Sequence, residues 1–389
     1  MVGDTGDTTQ VLVIGGGISG SVAALALAKA GFAVTLCEAH PSAAADLGAF
    51  LTLASNGMVA LAQLDAAKPI SGVGFPLTEM RLLDQSGAEV ATTLLGEHQD
   101  PLAQFRCLRW SELSAALQAQ VRQRGIPLRH SARLVDAVAD TRAVTVRFDD
   151  GTSLSADLLI GADGLNSTLR TLIDPAAGQP RYAGQRVFYG YADDTGLPGG
   201  TRITMVRGSR SAFGYAVSPA GTAYWFARLP GTELTPEQIA GTSPDQWRTE
   251  LLDVLQADAT PAADIVAATG DQLLVTNACD LPDLRRWSTD RMLLIGDAAH
   301  AASPATGQGA SMAMEDAVVL AKALRDNERG QALELYERIR RPRVQQNITV
   351  SARLTAGHQP APQPASTTSR FPRADPELMH QLDWNTPLS

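Results

Sequence analysis

Apolar and polar positions change period several times along the chain, and each change marks an element. Residues 11–14 (Val-Leu-Val-Ile) form a short unbroken apolar run ahead of three glycines, which predicts a buried parallel strand. Residues 23–30 are good helix formers followed by Gly31, which predicts a helix with a stop signal. Residues 33–37 are a second apolar run with Glu38 at its end. Strand, helix and strand in this order predict a right-handed βαβ unit. Leu113, Leu117 and Val121 sit at helical spacing within 110–124. Segments 133–139 and 143–149 predict paired strands, and in the second Val144, Val146 and Phe148 alternate with Thr145 and Arg147. Asp150-Gly151 predicts a hairpin turn. Residues 158–160 are another buried strand, ending at Gly161.

From about 181 to 268 the texture changes: Tyr, Phe, Trp and Thr become frequent, with Gly and Pro between them. Segments 211–218 and 222–229 predict a hairpin over Pro219-Ala220-Gly221 within a mostly antiparallel second sheet. Parallel-strand character returns at 292–295, followed by a loop and a helix over about 309–324. Residues 331–354 predict a further helix, broken at Pro342. Its basic stretch 338–343 reads as a solvated helix face and not a nucleic-acid site. Residues 359–368 read as a Pro/Ser/Thr-rich surface linker, with Phe371 and Trp384 tying the tail back to the body. The fold class expected is α/β: a Rossmann-like nucleotide-binding domain from 8–72, 100–178 and 272–330, a mostly antiparallel β-sheet second domain from 73–99 and 179–271, and a C-terminal helix and tail over 331–389.

Composition narrows the function. With 44% hydrophobic and 19% charged residues, the chain has the make-up of an ordinary globular protein. A net charge of -9 argues against nucleic acid as a partner, which calls for a basic stripe. Cys37, Cys107 and Cys279 lie far apart with no CxxC spacing; the expectation is a reducing, cytoplasmic setting without disulfides. The apolar stretch 11–36 could be mistaken for a membrane span. Its interruption by Gly15, Gly16, Gly17, Ser19, Gly20 and Lys29 argues for strand, turn and helix, so no membrane association is expected.

Three motifs carry candidate chemistry. Gly15-Gly16-Gly17-Ile18-Ser19-Gly20 matches G-x-G-x-x-G between a strand and a helix. Gly15 permits the tight turn, Gly17 lets backbone approach a pyrophosphate, and Gly20 lets helix and strand pack closely. The helix N-terminus offers free N–H groups to the phosphates, and Glu38 is placed to accept from ribose hydroxyls. The second motif, Asp163-Gly164, follows the strand at 158–160, where ligands of open α/β sheets bind. Asp163 serves equally well as a cofactor ligand or as a helix cap. The third is Gly296-Asp297, with the loop and helix after it. Asp297 is placed to bind a polyol such as a ribityl chain. Pro304 stiffens the loop, and Gly307 and Gly309 let backbone come close to a ring. The helix that follows would aim its N-terminus at a reduced flavin's negative charge, a contribution of about 0.3–2 kcal/mol, or tens of millivolts on a two-electron couple.

These motifs, in this order, resemble the group A flavoprotein aromatic monooxygenases, the family of p-hydroxybenzoate and salicylate hydroxylases that includes tetracycline-inactivating monooxygenases. The resemblance runs to about Leu354. It implies FAD as cofactor and NADPH or NADH as electron donor. Glu38 would hold the adenosine ribose, Asp297 the ribityl chain, and 307–310 (Gly307, Gln308, Gly309, Ala310) the isoalloxazine. Arg109 resembles the family's cofactor-contacting arginine, and Asp163-Gly164 is linked in the family to both FAD and the nicotinamide. Many relatives carry proline at the positions of Ser55 and Ala301; these departures remove no ligand.

The chemistry implied is hydroxylation of an aromatic or polyketide-like small molecule by O2 through a C4a-hydroperoxyflavin. The cofactor carries the reaction, and no catalytic side chain or metal is required. His300 reads as a structural neighbour of Asp297. Phe213, Tyr215, Tyr224 and Phe226 lie on the sheet that roofs the substrate in the family, and alternation puts half of them on either face. Arg202 and Arg210 are candidate partners of an acidic substrate, with surface arginine as the competing reading. The alternatives are an epoxidase or Baeyer–Villiger-type oxygenase on the same scaffold, or a flavin-bearing binding protein without turnover. A monomer and a homodimer fit equally.

Overall fold

A computed structural model describes residues 8–42, 48–97, 99–357 and 376–388. The expected linker at 359–368 and the anchor Phe371 lie outside the described residues. The first apolar runs build a five-stranded parallel sheet in the order Met292–Leu294, Leu158–Gly161, Gln10–Ile14, Ala33–Cys37, Leu128–Arg129. Its central strands are apolar on both faces because helices cover both. The helix between the first two strands, Ile18–Lys29, starts five residues before its alanine-rich segment. Gly20 and Ser21 hide that first turn from a propensity reading, yet both are buried with the apolar residues after them. The helix packs between Gly309–Asp326 and Trp110–Gln123, which is why it is apolar nearly all round.

The second sheet has seven strands, in the order Thr269–Asp280, Arg181–Ala192, Ala223–Pro230, Ala212–Val217, Arg202–Arg207, Glu79–Asp84, Glu89–Leu94. Every pairing is antiparallel except Arg202–Arg207 with Glu79–Asp84. Period-two alternation sorts its aromatics by face. Phe188, Phe213, Tyr215 and Trp225 join a core with Trp247, Leu251 and Ile265, from helices Pro244–Leu255 and Ala262–Ala267. Tyr189, Tyr191, Tyr224 and Phe226 point the other way, toward Phe50 and Phe75. Two small sheets complete the strands: Leu134–Ala139, Val144–Phe148 and Ser153–Ala156, and the trio Phe50–Leu53, Phe105–Arg109 and Phe75–Leu77.

The C-terminal helix corrects two expectations. Arg329–Thr355 is a single helix that runs through Pro342. An interior proline costs about 3 kcal/mol in a free helix, but here both sides of it are tied down. Arg340 pairs with Glu315 at 2.8 Å and Asp316 at 2.7 Å, and Arg343 with Glu315 at 2.6 Å. The stretch 338–343 is therefore only in part a solvated face: Arg338 and Pro342 are exposed, but the Arg340 side chain is fully buried.

The tail is held by the end of Gly309–Asp326. Lys322 is buried and donates to the carbonyls of Gln381 at 2.7 Å and His380 at 3.3 Å. Arg325 donates to the Trp384 carbonyl at 2.6 Å and stacks 5.0 Å from the Trp384 ring. Burial, with Arg325 nearby, pushes the Lys322 ammonium down to about 8. Lys322→Met is expected to cost about 1–3 kcal/mol, the penalty for carbonyls left without donors. Amide hydrogen exchange checks this: exchange should quicken across 376–388 and hold elsewhere, and an unchanged tail would refute the latch.

Candidate active site

Three ends of the parallel sheet meet at one cleft. At the first, Gly15 has φ +102° and packs on Leu158–Gly161: a Cβ there would lie 2.3 Å from the Ala162 carbonyl oxygen. A Cβ on Gly20 would lie 1.8 Å from the Gly15 carbonyl oxygen. Only glycine fits either position. Gly17 is the N-cap of Ile18–Lys29, and no side chain caps that helix. The Ser19 hydroxyl, in its first turn, is sealed from solvent without a partner. Beside it, Glu38 is buried, with Oε2 accepting from Gly16 N at 2.6 Å and Oε1 from His40 N at 2.8 Å. The Gly16 carbonyl accepts from Gln118 Nε2 at 2.8 Å and Ser21 Oγ at 3.0 Å.

At the second strand end, Asp163 accepts from Ser167 Oγ at 2.5 Å and Leu169 N at 3.1 Å. Ser167 in turn caps Thr168–Ile173. Asp163 thus supports the first turn of that helix beside its N-cap, Ser167. Burial raises the Asp163 carboxyl, against the pull of these donors. Gly164 has φ +75° and lines the cleft, with open space where a Cβ would stand. Arg170 binds this turn to the next one through the carbonyls of Leu165 at 2.7 Å and Ala298 at 3.2 Å.

At the third, Asp297 follows Gly296, whose φ is +57°. Its surface opens to the cleft. Protein mass around it still removes bulk water, and this desolvation raises its carboxyl against the pull of His300, with a further push from Asp316. The loop then runs through Pro304–Thr306 to Gly307, at φ +65°, and the helix Gly309–Asp326 begins without a side-chain cap.

Behind this loop lies a buried polar cluster. Asp316 accepts from Gly296 N at 2.9 Å, lies 2.5 Å from His300 Nε2, and accepts from Arg340 Nε at 2.7 Å. Burial alone would raise Asp316; His300 and Arg340 overcome it and hold the carboxyl well below the usual range. His300 therefore has a carboxylate partner, and it is Asp316. Asn56 reaches across from Ser55–Gln63, donating to Glu315 at 2.7 Å and Gln308 at 3.1 Å.

The cleft, of about 420 Å³, is lined by Gly17, Ser19, Gly164, Asp297, Pro304 and 307–310 on one side and by Phe50, Val187, Tyr189, Phe226 and Arg228 on the other. Of the aromatic candidates, Phe226 lines it. Tyr224 shares that face but packs deeper, with its ring centroid 5.3 Å from that of Phe75 and 4.9 Å from that of Tyr191. Phe213 and Tyr215 are on the opposite face beneath helices, and Arg210 is exposed in the turn after Arg202–Arg207. These three do not line the cleft, because each strand sends alternate residues to opposite faces and Arg210 lies beyond the strand. Arg202 pairs with Glu79. Arg109 stacks its guanidinium 4.1 Å from the Tyr191 ring and 5.9 Å from the Tyr224 ring.

Sequence reasoning passed over Gln118, Asn56, Arg170, Asp316 and Arg340. A signal existed for two of them. Gln118 follows Ser114 by one helical turn on the buried face of Trp110–Gln123, and Asp316 interrupts an apolar run after a glycine-rich loop.

An extended dinucleotide fits these residues. The orphaned Ser19 hydroxyl and the bare helix end suit a pyrophosphate, and the bare end at Gly309 suits an anionic ring edge. Glycine cradle, buried acid at the end of the second strand and two further strand ends define a flavin-type dinucleotide-binding oxidoreductase. Residues 8–351 match the family model described as FAD binding domain, and the chain belongs to that family. It is 30% identical over 352 residues, 88% of each chain, to aurachin C monooxygenase/isomerase of Stigmatella aurantiaca. It is 31% identical over 349 residues to 3-amino-4-hydroxybenzoate 2-monooxygenase of Streptomyces platensis, covering 87% of this chain and 85% of that one. The crystal structure of Klebsiella pneumoniae HpxO with FAD and uric acid superposes with a TM-score of 0.82 at 27% identity, covering 98% of this chain and 94% of that one. The protein is an FAD-dependent monooxygenase. Among the described residues no helix is long and apolar enough to cross a membrane.

Proposed function

We propose that the protein uses NADPH or NADH and O2 to hydroxylate a small aromatic ring held between the 307–310 loop and the cleft face of the seven-stranded sheet. One observation carries this reading: a single cleft joins the phosphate cradle at Gly17 and Ser19 to the aromatic wall at Tyr189 and Phe226. Relatives named for an aminohydroxybenzoate substrate and a neighbour crystallised with uric acid support a planar ring as the class of substrate.

Bound FAD supplies the redox chemistry, taking electrons from the nicotinamide and activating O2 for transfer of one atom. The chain's own part is binding, orientation and exclusion of water. Ser19 and the backbone at Gly17 would hold the pyrophosphate, Glu38 the adenosine ribose and Asp297 the ribityl hydroxyls. The backbone of 307–310 would face the isoalloxazine, and Gly164 would leave room beside it. Phe50, Val187, Tyr189 and Phe226 give the substrate end an apolar wall, which keeps water from the reacting face. Burial pushes the Tyr189 phenol up to about 12, against Arg228, so it stays a neutral donor at neutral pH.

The test is steady-state oxidation of NAD(P)H by the FAD-loaded protein with a panel of hydroxybenzoates and purines under 18O2. A product gaining one 18O supports hydroxylation. A ring-expanded lactone would indicate the Baeyer–Villiger alternative. Bound flavin with no turnover on any ring would sink the proposal. Phe226→Ala is expected to raise KM for the ring about tenfold, given about 0.5–1.5 kcal/mol for an aromatic pair beyond its area, with flavin content unchanged. Unchanged KM would remove Phe226 from the substrate wall.

A further inference from the structure

Resting on that reading, we propose that Arg228 is the specificity-determining anchor of the substrate end, and that the ring it selects carries a carboxylate.

Arg228 lies on Ala223–Pro230, on the face that meets the cleft, and it lines the cleft beside Val187, Tyr189 and Phe226. Its Nε and Nη1 are sealed from solvent and have no hydrogen-bond partner. No carboxylate pairs with it among the described residues, and its guanidinium carbon stands 5.9 Å from the centre of the Phe226 ring. An arginine does not escape burial by losing its proton, because its pKa is too high. The residue as a whole is half-buried, and a cation with two of its nitrogens sealed and no counter-ion is costly to hold in place.

Four arginines buried more deeply than Arg228 show how this chain ordinarily meets that cost. Arg106 donates to the carbonyls of Val73 and Gly74, Arg170 to those of Leu165 and Ala298, and Arg291 to those of Asp140 and Asp157. Arg340 is clasped by Glu315 and Asp316. Arg228 has no such acceptors, and burial depresses its guanidinium pKa with only Tyr189 opposing.

Charge in the cleft is sparse. Among the described residues, Asp297 and Arg228 are the only charged ones that line it. Asp297 sits at the phosphate-cradle side: a Cβ on its neighbour Gly296 would fall 2.6 Å from Ser19 Oγ. The sheet side therefore presents one unneutralised positive charge within an aromatic wall. A planar ring with a carboxylate satisfies both, since guanidinium and carboxylate match in geometry as well as charge.

The experiment uses FAD-loaded protein and two matched probe pairs, benzoate with benzamide and 2-naphthoate with 2-naphthamide, followed by perturbation of the flavin absorption spectrum. In the wild type the acid of at least one pair is expected to bind roughly 10- to 100-fold tighter than its amide, the span of one charge-assisted contact. Arg228→Met should bring acid and amide to within about twofold with flavin content unchanged. Arg228→Lys should keep the preference for the acid at reduced affinity, which guards against misfolding of the methionine variant. Equal binding of acid and amide by the wild type, or a preference that survives in Arg228→Met, overturns the anchor and leaves the hydroxylase reading standing. Failure of all four rings to bind while flavin stays bound overturns both.

Discussion

Gly20→Ala should purify without yellow colour. The added Cβ would sit 1.8 Å from the Gly15 carbonyl oxygen, a backbone atom that cannot rotate away. Relief requires Ile18–Lys29 to move off Gln10–Ile14, and with it the N–H groups expected to meet the pyrophosphate. Overpacking in a core costs about 1–3 kcal/mol and more where no side chain can yield. The loss here should fall on cofactor affinity as well as on stability. The ratio of 450 nm to 280 nm absorbance and the thermal midpoint read the two effects. Gly330→Ala is the control, because its Cβ meets nothing within 4 Å inside Arg329–Thr355. It should keep its flavin and gain about 0.5–1 kcal/mol. A Gly20→Ala protein with full flavin content would show that the close approach is dispensable.

Asp316→Asn is expected to cost about 3–5 kcal/mol, the loss incurred when one partner of a buried charge pair is removed. Arg340 would keep a single carboxylate, Glu315, and His300 would lose its own. Urea unfolding at pH 7 checks the magnitude through the shift in midpoint. The pH dependence checks the cause. Because the folded-state pKa is depressed, Asp316 contributes fully above its unfolded value near ~3.9 and loses that contribution as pH falls through the lower folded value. The wild type should therefore approach the variant in stability only below about pH 4. Equal midpoints at pH 7 would mean the cluster contributes nothing.

How much of this could be read beforehand depends on range. The cradle was legible because all its signals are local: strand, glycines, helix and acid fall within residues 11–38 in an order that few other structures need. Period-two alternation predicted a split of the sheet aromatics, but it could not say which face met the cleft. That choice belongs to Phe50 and Phe75, which come from a distant part of the chain and pack on Tyr189 and Tyr224. Pro342 misled for the same reason. Its local cost is real, and what offsets it are ion pairs to residues 315 and 316. Arg228 carried no motif at all. Its meaning comes from the absence of a partner, which only three-dimensional placement reveals.

The clasp of Arg340 and Arg343 on Glu315 also fixes an order of events during synthesis. Gly15 through Glu38 leave the ribosome first and can form their strand and turn from neighbouring sequence alone. The loop at 307–310 is different, for its supporting helix is braced by arginines that lie some 25 positions further on. That brace cannot close until residue 343 has cleared the exit tunnel. Flavin should therefore be captured tightly only after that point in synthesis, and truncated chains that stop short of residue 340 should emerge apo however well their first βαβ unit folds.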